Sequence, residues 1–167
     1  LSSSSAASDV YKRQPYWCGF FVQAPWRTYV NYNDPRLIEK YYSQMKEWFK
    51  YVDKYTVDGL LKRWPDTKYR DWYLGDWLAP MGVDAGNQAS VDLVSNCFIS
   101  ECLSTMYKTA LTLGNKEEAE EFAIRKEKLN KLIHQTFYRA DEGIYSTGSQ
   151  LDMCYPCLLY TSPSPRD

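Results

Sequence analysis

Four stretches of the chain repeat apolar residues at the 3.6-residue period of an α-helix. The clearest starts at Asp34 and runs to about Tyr55. Leu37, Ile38, Tyr41, Tyr42, Met45, Trp48, Phe49 and Val52 fall on one face, with Lys40, Gln44, Glu47 and Lys50 opposite. Asp34 followed by Pro35 is a helix start, an N-cap carboxylate and then a proline at the first helical position. Thr56, Val57, Asp58 and Gly59 end that helix. A second stripe covers residues 89–113, on Val91, Val94, Cys97, Phe98, Cys102, Met106, Ala110 and Leu113, with Gly114 as the C′ stop. Asn115, with Glu118 three residues on, predicts a capped helix from there to about Tyr138, on Ala119, Phe122, Ala123, Leu129, Leu132, Ile133 and Phe137. Its run of Glu117, Glu118, Glu120 and Glu121 favours the N-terminal end through the helix dipole and reads as a solvated face.

The remaining helix is predicted over residues 20–32, after a loop or turn at 15–19. Pro25 fits a first turn and kinks an interior, so this helix is expected to begin as late as Ala24. Asp141, Glu142 and Gly143 form a turn, residues 144–150 are short and irregular, and a further helix begins near Leu151. The sum is an all-α fold of long amphipathic helices. No internal repeat is visible, which counts against a repeat array.

Between the second and third helices lies the stretch that stands apart, a non-helical insert over residues 58–88. Such loops are usually functional or disordered. This one carries Trp64, Tyr69, Trp72, Tyr73 and Trp77, and disordered segments are poor in aromatics. Rings interleaved with Asp66, Asp71 and Asp76 suit carbohydrate: flat faces stack on sugar C–H groups and carboxylates accept hydroxyl hydrogen bonds. The same rings suit a plug for the domain core, and residue chemistry alone leaves both open.

The two ends read differently from the middle. Residues 9–14, Asp-Val-Tyr-Lys-Arg-Gln, can be encoded by GAT GTG TAT AAG AGA CAG. The reverse complement of that DNA, shifted by one base, encodes Cys-Leu-Leu-Tyr-Thr-Ser, which is residues 157–162. The repeat resembles the transposase mosaic end of shotgun library preparation, and residues 4–8 and 163–167 match its flanking arms. Residues 1–14 and 157–167 are therefore expected to be translated adapter and are kept out of fold reasoning. Residues 15–156 are expected to be a piece of a longer protein, open at both ends. They hold 17 Lys and Arg against 19 Asp and Glu. A balance so near neutral points to no nucleic-acid or anionic-membrane partner. No apolar run approaches the ~20 residues of a membrane span. Cys18, Cys97, Cys102 and Cys154 show no metal spacing and no disulfide framework. Cys97 and Cys102, five apart on a helix, suit burial. His134, the single histidine, has no ligand-spaced neighbour and reads as a surface or packing residue. No cofactor and no metal site is expected. The compartment is not read, since any signal peptide lies upstream of the piece.

Several motifs in order resemble one family. Trp17, then Pro25-Trp26-Arg27-Thr28-Tyr29 and Tyr32-Asn33-Asp34, is similar to the W-x7-P-W-x-x-Y-x-x-Y-G-D stretch of bacterial α-L-rhamnosidases of the six-hairpin glycosidase superfamily. Tyr42 to Trp48 resembles the helix that follows. Asp58-Gly59 and Gly75-Asp76-Trp77-Leu78 match its D-G and G-D-W-L. Leu113-Gly114-Asn115 with Ala119-Glu120 resembles its A-x-x-L-G-x4-A junction, and Gly143-Ile144-Tyr145 with Gln150 its closing G-x-Y…Q. The resemblance implies a partial (α/α)6 barrel, roughly two helical hairpins plus the aromatic loop. It also implies release of terminal α-L-rhamnose from a rhamnose-containing glycoside or polysaccharide with inversion. Inversion needs an acid and a base far enough apart to admit a water. In the family the acid lies before the matched part, in a D-E-R-x-G-W stretch, and the base after it, so this piece is expected to hold no catalytic residue and to be inactive. What the resemblance does carry over is the sugar-pocket wall. Trp17 and Trp77 match tryptophans lining the rhamnose subsite, and Asp76 is placed to accept a hydroxyl hydrogen bond or to cap a turn. Trp26 and Trp72 are read as structural. Two positions depart from the pattern: Gly19 stands where many relatives have an acidic residue, and Asn33 replaces a glycine. The partner expected of the piece is the remainder of its own catalytic domain. The rival readings are a six-hairpin hydrolase for another sugar and a non-catalytic helical carbohydrate-binding protein.

Overall fold

Pro15, which needs no N–H partner at a helix start, opens α1 (Pro15–Tyr32). The expected loop at 15–19 is therefore helical, and Pro25 lies inside the helix without ending it. The missing Pro25 N–H leaves the Phe21 carbonyl without its helical partner. Packing of α1 on both of its neighbours outweighs that single loss. The structure is a computed structural model that describes residues 15–63, 73, 75 and 88–160, with the backbone alone at Pro15, Tyr16, Trp17, Gln88 and Tyr160.

After Asn33 at φ +53°, α2 (Arg36–Asp53) begins with the Asp34 carboxylate accepting the Arg36 N–H at 3.1 Å. The expected start is displaced by one place: Pro35 rather than Asp34 is the N-cap, it makes no side-chain cap bond, and the Asp34 carboxylate closes a turn just ahead of it. Ile38, Tyr42, Met45, Trp48, Phe49 and Val52 are its buried stripe. Beyond it the Asp58-Gly59 pair does more than stop a helix. With φ of +52° and +82° it makes the two-residue turn of a hairpin between β1 (Thr56–Val57) and β2 (Leu60–Leu61). The long insert is thus shortened at its start by an antiparallel pair.

α3 (Gln88–Thr112) ends in a Schellman motif: Gly114 at φ +82° donates to the Leu111 carbonyl, and Asn115 N–H to that of Ala110 at 2.8 Å. The capping box expected for α4 (Lys116–Phe137) does not form. Asn115 makes no side-chain cap bond, and the Glu118 carboxylate, instead of reaching back to the Asn115 N–H, takes the Tyr42 hydroxyl at 2.7 Å and Lys46 Nζ at 2.6 Å. The turn at 141–143 closes a second hairpin, β3 (Tyr138–Arg139) with β4 (Ile144–Tyr145). His134 packs there, stacked on Tyr138 and 2.7 Å from the Tyr145 hydroxyl. α5 (Gln150–Tyr160) is capped by Ser149, whose hydroxyl accepts the Asp152 N–H at 3.2 Å, and it continues four residues past Pro156.

The helices form two layers. In one, Gly19 and Gln23 of α1 meet Cys102 and Thr105 of α3, and Ser90 and Cys97 of α3 meet Asp152 and Tyr155 of α5. Residue numbers rise together, so α1, α3 and α5 run parallel. In the other layer Tyr42, Phe49 and Asp53 of α2 meet Glu118, Phe122 and Arg125 of α4, again in parallel. Within the hairpin the order reverses: Ser100 meets Asn130 and Ser104 meets Lys126. Hairpins that alternate between two parallel layers build a sector of an α/α toroid. The fold is all-α, with two-residue strands at two turns, and its core is the stack of Ile38, Met45, Leu61, Leu93, Leu103, Met106 and Ile133 between the layers.

Candidate functional site

α1, α3 and α5 point the same way, but only α3 and α5 begin side by side, with Ser90 against Asp152. Gly19 against Cys102 starts α1 roughly three turns further along α3. The insert before α3 and residues 146–149 before α5 lead into the shared rim of α3 and α5. Trp17 lies in the first turn of α1, on a helix where a loop was expected, and its side chain lies outside the described residues. Asp76 and Trp77, and with them Trp64, Asp66, Tyr69, Asp71 and Trp72, also lie outside them.

What is described is how the insert is held. Asn96, fully buried on α3, turns its carboxamide to the backbone of Leu61. Its Oδ1 accepts the Leu61 N–H at 2.8 Å, and its Nδ2 donates to the Leu61 carbonyl at 3.0 Å and the Asp92 carbonyl at 2.8 Å. Tyr73, also without exposure, donates its hydroxyl to the same Leu61 carbonyl at 3.1 Å. Residues 61 and 73 are thereby tied across the first lobe of the insert. Burial first, then the nearby Asp92 carboxylate, hold the Tyr73 phenol well above its ordinary range, so it stays a neutral donor. Two residues on, Gly75 adopts φ +64°, and a Cβ there would lie 3.1 Å from Val91 Cα. Glycine is required twice over at this point, for the turn and for the approach to α3. Asp76 and Trp77 follow it directly in the chain.

Two carboxylates stand at this end of α3, and neither is open to a substrate. Asp92 is buried and pairs with Lys62 at 3.3 Å. Asp152, wholly buried, accepts from Ser90 Oγ at 2.6 Å and from the Thr147 N–H at 3.0 Å and hydroxyl at 2.5 Å. Asp152 fastens Ser90 to the loop at Thr147, and Asp92 holds Lys62 beside α3. Nor is a thiol available: burial, with Asp152 adding to it, pushes Cys97 up to about 12, and burial raises Cys102 as well. Among the described residues no group of three His, Cys, Asp or Glu gathers for a metal. No described helix is long and apolar enough to cross a membrane.

Gly19, the departure from the expected acidic residue, has a physical cause. It is buried at the contact with α3, where any Cβ would overlap the Phe98 ring and touch Cys102 Sγ. Position 19 here is a helix crossing with no space for a carboxylate.

The description of the family model that matches residues 4–166 is the bacterial alpha-L-rhamnosidase 6 hairpin glycosidase domain. The chain belongs to that family. It is 28% identical over 140 residues to an alpha-L-rhamnosidase of Alteromonas sp. (strain LOR), covering 81% of this chain and 14% of that protein. It is 24% identical over 125 residues to an alpha-L-rhamnosidase of Formosa agariphila, covering 74% of this chain and 13% of that one. The chain thus spans about one seventh of these relatives. No solved structure matches it. Within this six-hairpin domain the described residues supply two hairpins and the first helix of a third.

Sequence reasoning missed the fasteners: Asn96, Tyr73, Asp92, Ser90 and Asp152. Two signals were present. Asp92, Ser95 and Asn96 interrupt residues 91–99, which are otherwise apolar, and this marks a buried polar network. Ser149 with Asp152 three residues on has the spacing of a capping box.

Proposed function

We propose that this chain is part of the catalytic domain of an inverting α-L-rhamnosidase, and that it forms one wall of the rhamnose pocket without the reacting carboxyl groups. The observation that carries the reading is the family match across the chain, supported by an insert tied to Leu61 through Tyr73 and brought against Val91 of α3 at Gly75, directly before Asp76 and Trp77 in the sequence. Trp17 and Trp77 would pack on the apolar face and methyl of rhamnose, and Asp76 would accept a hydroxyl hydrogen bond. Asp92 and Asp152, buried and bonded within the chain, support the placement of acid and base elsewhere in the domain. The substrate is a rhamnose-containing glycoside or polysaccharide. The native segment is residues 15–156, and residues 1–14 and 157–167 are adapter translation.

The test takes the isolated chain and the parent gene recovered from genomic DNA. On an aryl α-L-rhamnoside the chain gives no turnover above background, while the parent releases β-L-rhamnose first, read by NMR of the initial anomer. Trp77→Ala in the parent lowers kcat/KM by roughly 10- to 100-fold, the loss expected of about 1–3 kcal/mol of apolar contact. Turnover by the pure chain would overturn the absence of the catalytic pair. A parent that prefers another sugar would move the reading to a six-hairpin relative. Genomic DNA that encodes the two ends as written would remove the adapter assignment.

A further inference from the structure

The insert is held to α3 at two points with a single residue between them. At the first, the Tyr73 hydroxyl donates to the Leu61 carbonyl at 3.1 Å and lies by Asp92 and Ser95. Leu61 is fixed in turn by Asn96, whose carboxamide takes both its N–H and its carbonyl. At the second, Gly75, buried at φ +64°, rests on Val91, and a Cβ on it would stand 3.1 Å from the Val91 Cα. Val91 and Asn96 belong to one helix and stand about 7 Å apart along its axis. A chain held on both sides of residue 74 by the same helix leaves Gly75 from a fixed point, and Asp76 and Trp77 are the next two residues.

We propose that Tyr73, Gly75 and Asn96 are positioning residues for sugar binding: the clamp they make on α3 fixes where the Asp76-Trp77 segment starts, and so sets the affinity of the pocket wall. The inference rests on the reading of Asp76 and Trp77 as that wall. Tyr73 and Asn96 have no exposure, and all three residues act through the backbone that leads to Asp76. A plug for the core would need only the Tyr73 ring. The hydroxyl adds a direction, because a hydrogen bond tolerates a narrower range of distance and angle than apolar packing does. Gly75 adds a second constraint, because its bare Cα is what lets the chain touch the backbone of the helix. Wall contacts made alike in the ground state and the transition state act on KM rather than on kcat. A loosened clamp therefore raises KM and leaves kcat near its native value.

Steady-state kinetics of the recovered parent on an aryl α-L-rhamnoside, well below every melting transition, test it. Tyr73→Phe raises KM by about 3- to 10-fold with kcat within about 2-fold, and Gly75→Ala raises KM by about 10-fold or more. Ile38→Val is the control. It deletes a methyl from a fully buried side chain at the end of α2 away from the hairpin, lowers the melting temperature about as much as Tyr73→Phe, and leaves KM unchanged. In a Trp77→Ala background, Tyr73→Phe adds less than about 2-fold, since its effect runs through the segment already disabled. A KM unmoved by Tyr73→Phe, or moved as far by Ile38→Val, overturns the clamp, and so does full additivity with Trp77→Ala. The two readings fail separately. Loss of kcat/KM in Trp77→Ala with a native KM in Tyr73→Phe sinks the clamp alone. A parent that prefers another sugar, and whose KM for it rises in Tyr73→Phe, keeps the clamp and sinks the rhamnose.

Discussion

Polar groups hold this protein together in two places, and they do so by different physics. Between α2 and α4, Lys46 pairs with Glu118 and Asp53 with Arg125, each side chain at least a third exposed. Around them Phe49 and Phe122 pack with ring centroids 6.0 Å apart, and the Arg125 guanidinium lies over the Phe49 ring. Water competes for every charge, and the contact would survive on the rings alone. At the N-terminal half of α3 the polar atoms are sealed. Asn96, Asp152 and Tyr73 have no exposure, and each holds a segment that helical periodicity does not hold: β2, the loop before α5, and the insert. A polar group in water adds little. The same group in a sealed site becomes costly to remove, because its partners are then buried without bonds. The rim is therefore built where loss of one atom is felt most, and the outer seam where it is felt least.

Asp152→Ala is the hardest blow to that contrast. It strands Ser90 Oγ and the Thr147 N–H and leaves a cavity, at about 3–5 kcal/mol. Chemical denaturation followed by circular dichroism reads the loss, and a cost below about 1 kcal/mol would dissolve the distinction. Asn96→Leu comes next, at about 2–4 kcal/mol, since it keeps the volume but leaves the Leu61 N–H without its acceptor and the Leu61 and Asp92 carbonyls each short of one donor. Tyr73→Phe sharpens the comparison. It removes the hydroxyl, which bonds the Leu61 carbonyl and lies by Ser95 and Asp92, and keeps the packing of the ring, so about 0.5–1.5 kcal/mol is expected. A loss as large as that of Asn96→Leu would mean that the phenol, not the carboxamide, is the main tie of the insert.

The helices were legible because burial on one face imposes a period, and Leu37 to Val52 carry it without interruption. What was not legible depended on partners distant in sequence. The Asp58-Gly59 pair has the same left-handed preference whether it ends a helix or turns a hairpin. Leu60 and Leu61 pairing back on Thr56 and Val57 decided for the hairpin. Asn115 and Glu118 have a sound capping spacing, and Tyr42 and Lys46, more than 70 residues away in sequence, took the carboxylate. For the site itself, Trp17, Asp76 and Trp77 rest on motif order alone. Asn96 was silent, since an asparagine on a helix reads the same whether it faces water or the backbone of Leu61. Gly19 was readable as a departure but not as a helix crossing, because a missing side chain gives no sign of what fills its place.

The smallest effect belongs to the outer seam, and it is pH that exposes it. Lys46 first, then the Tyr42 hydroxyl, hold the Glu118 carboxyl below its ordinary range. A carboxyl with a lowered folded pKa binds its proton more weakly in the folded state than in the unfolded one. Its stabilisation is fully present above the unfolded value near 4.5 and is lost as pH falls through the folded one. Glu118→Gln should therefore cost only about 0.2–1 kcal/mol at pH 7, the range of exposed pairs, and nothing once both states are protonated. Denaturation midpoints of the two proteins are expected to run parallel from pH 8 to about pH 5.5 and to converge below about pH 4.5. A gap that persists into strong acid would show that the carboxylate acts through packing rather than charge. A gap at pH 7 as wide as that of Asp152→Ala would mean that the seam between α2 and α4 is sealed like the rim, and that exposure does not separate the two kinds of polar contact in this fold.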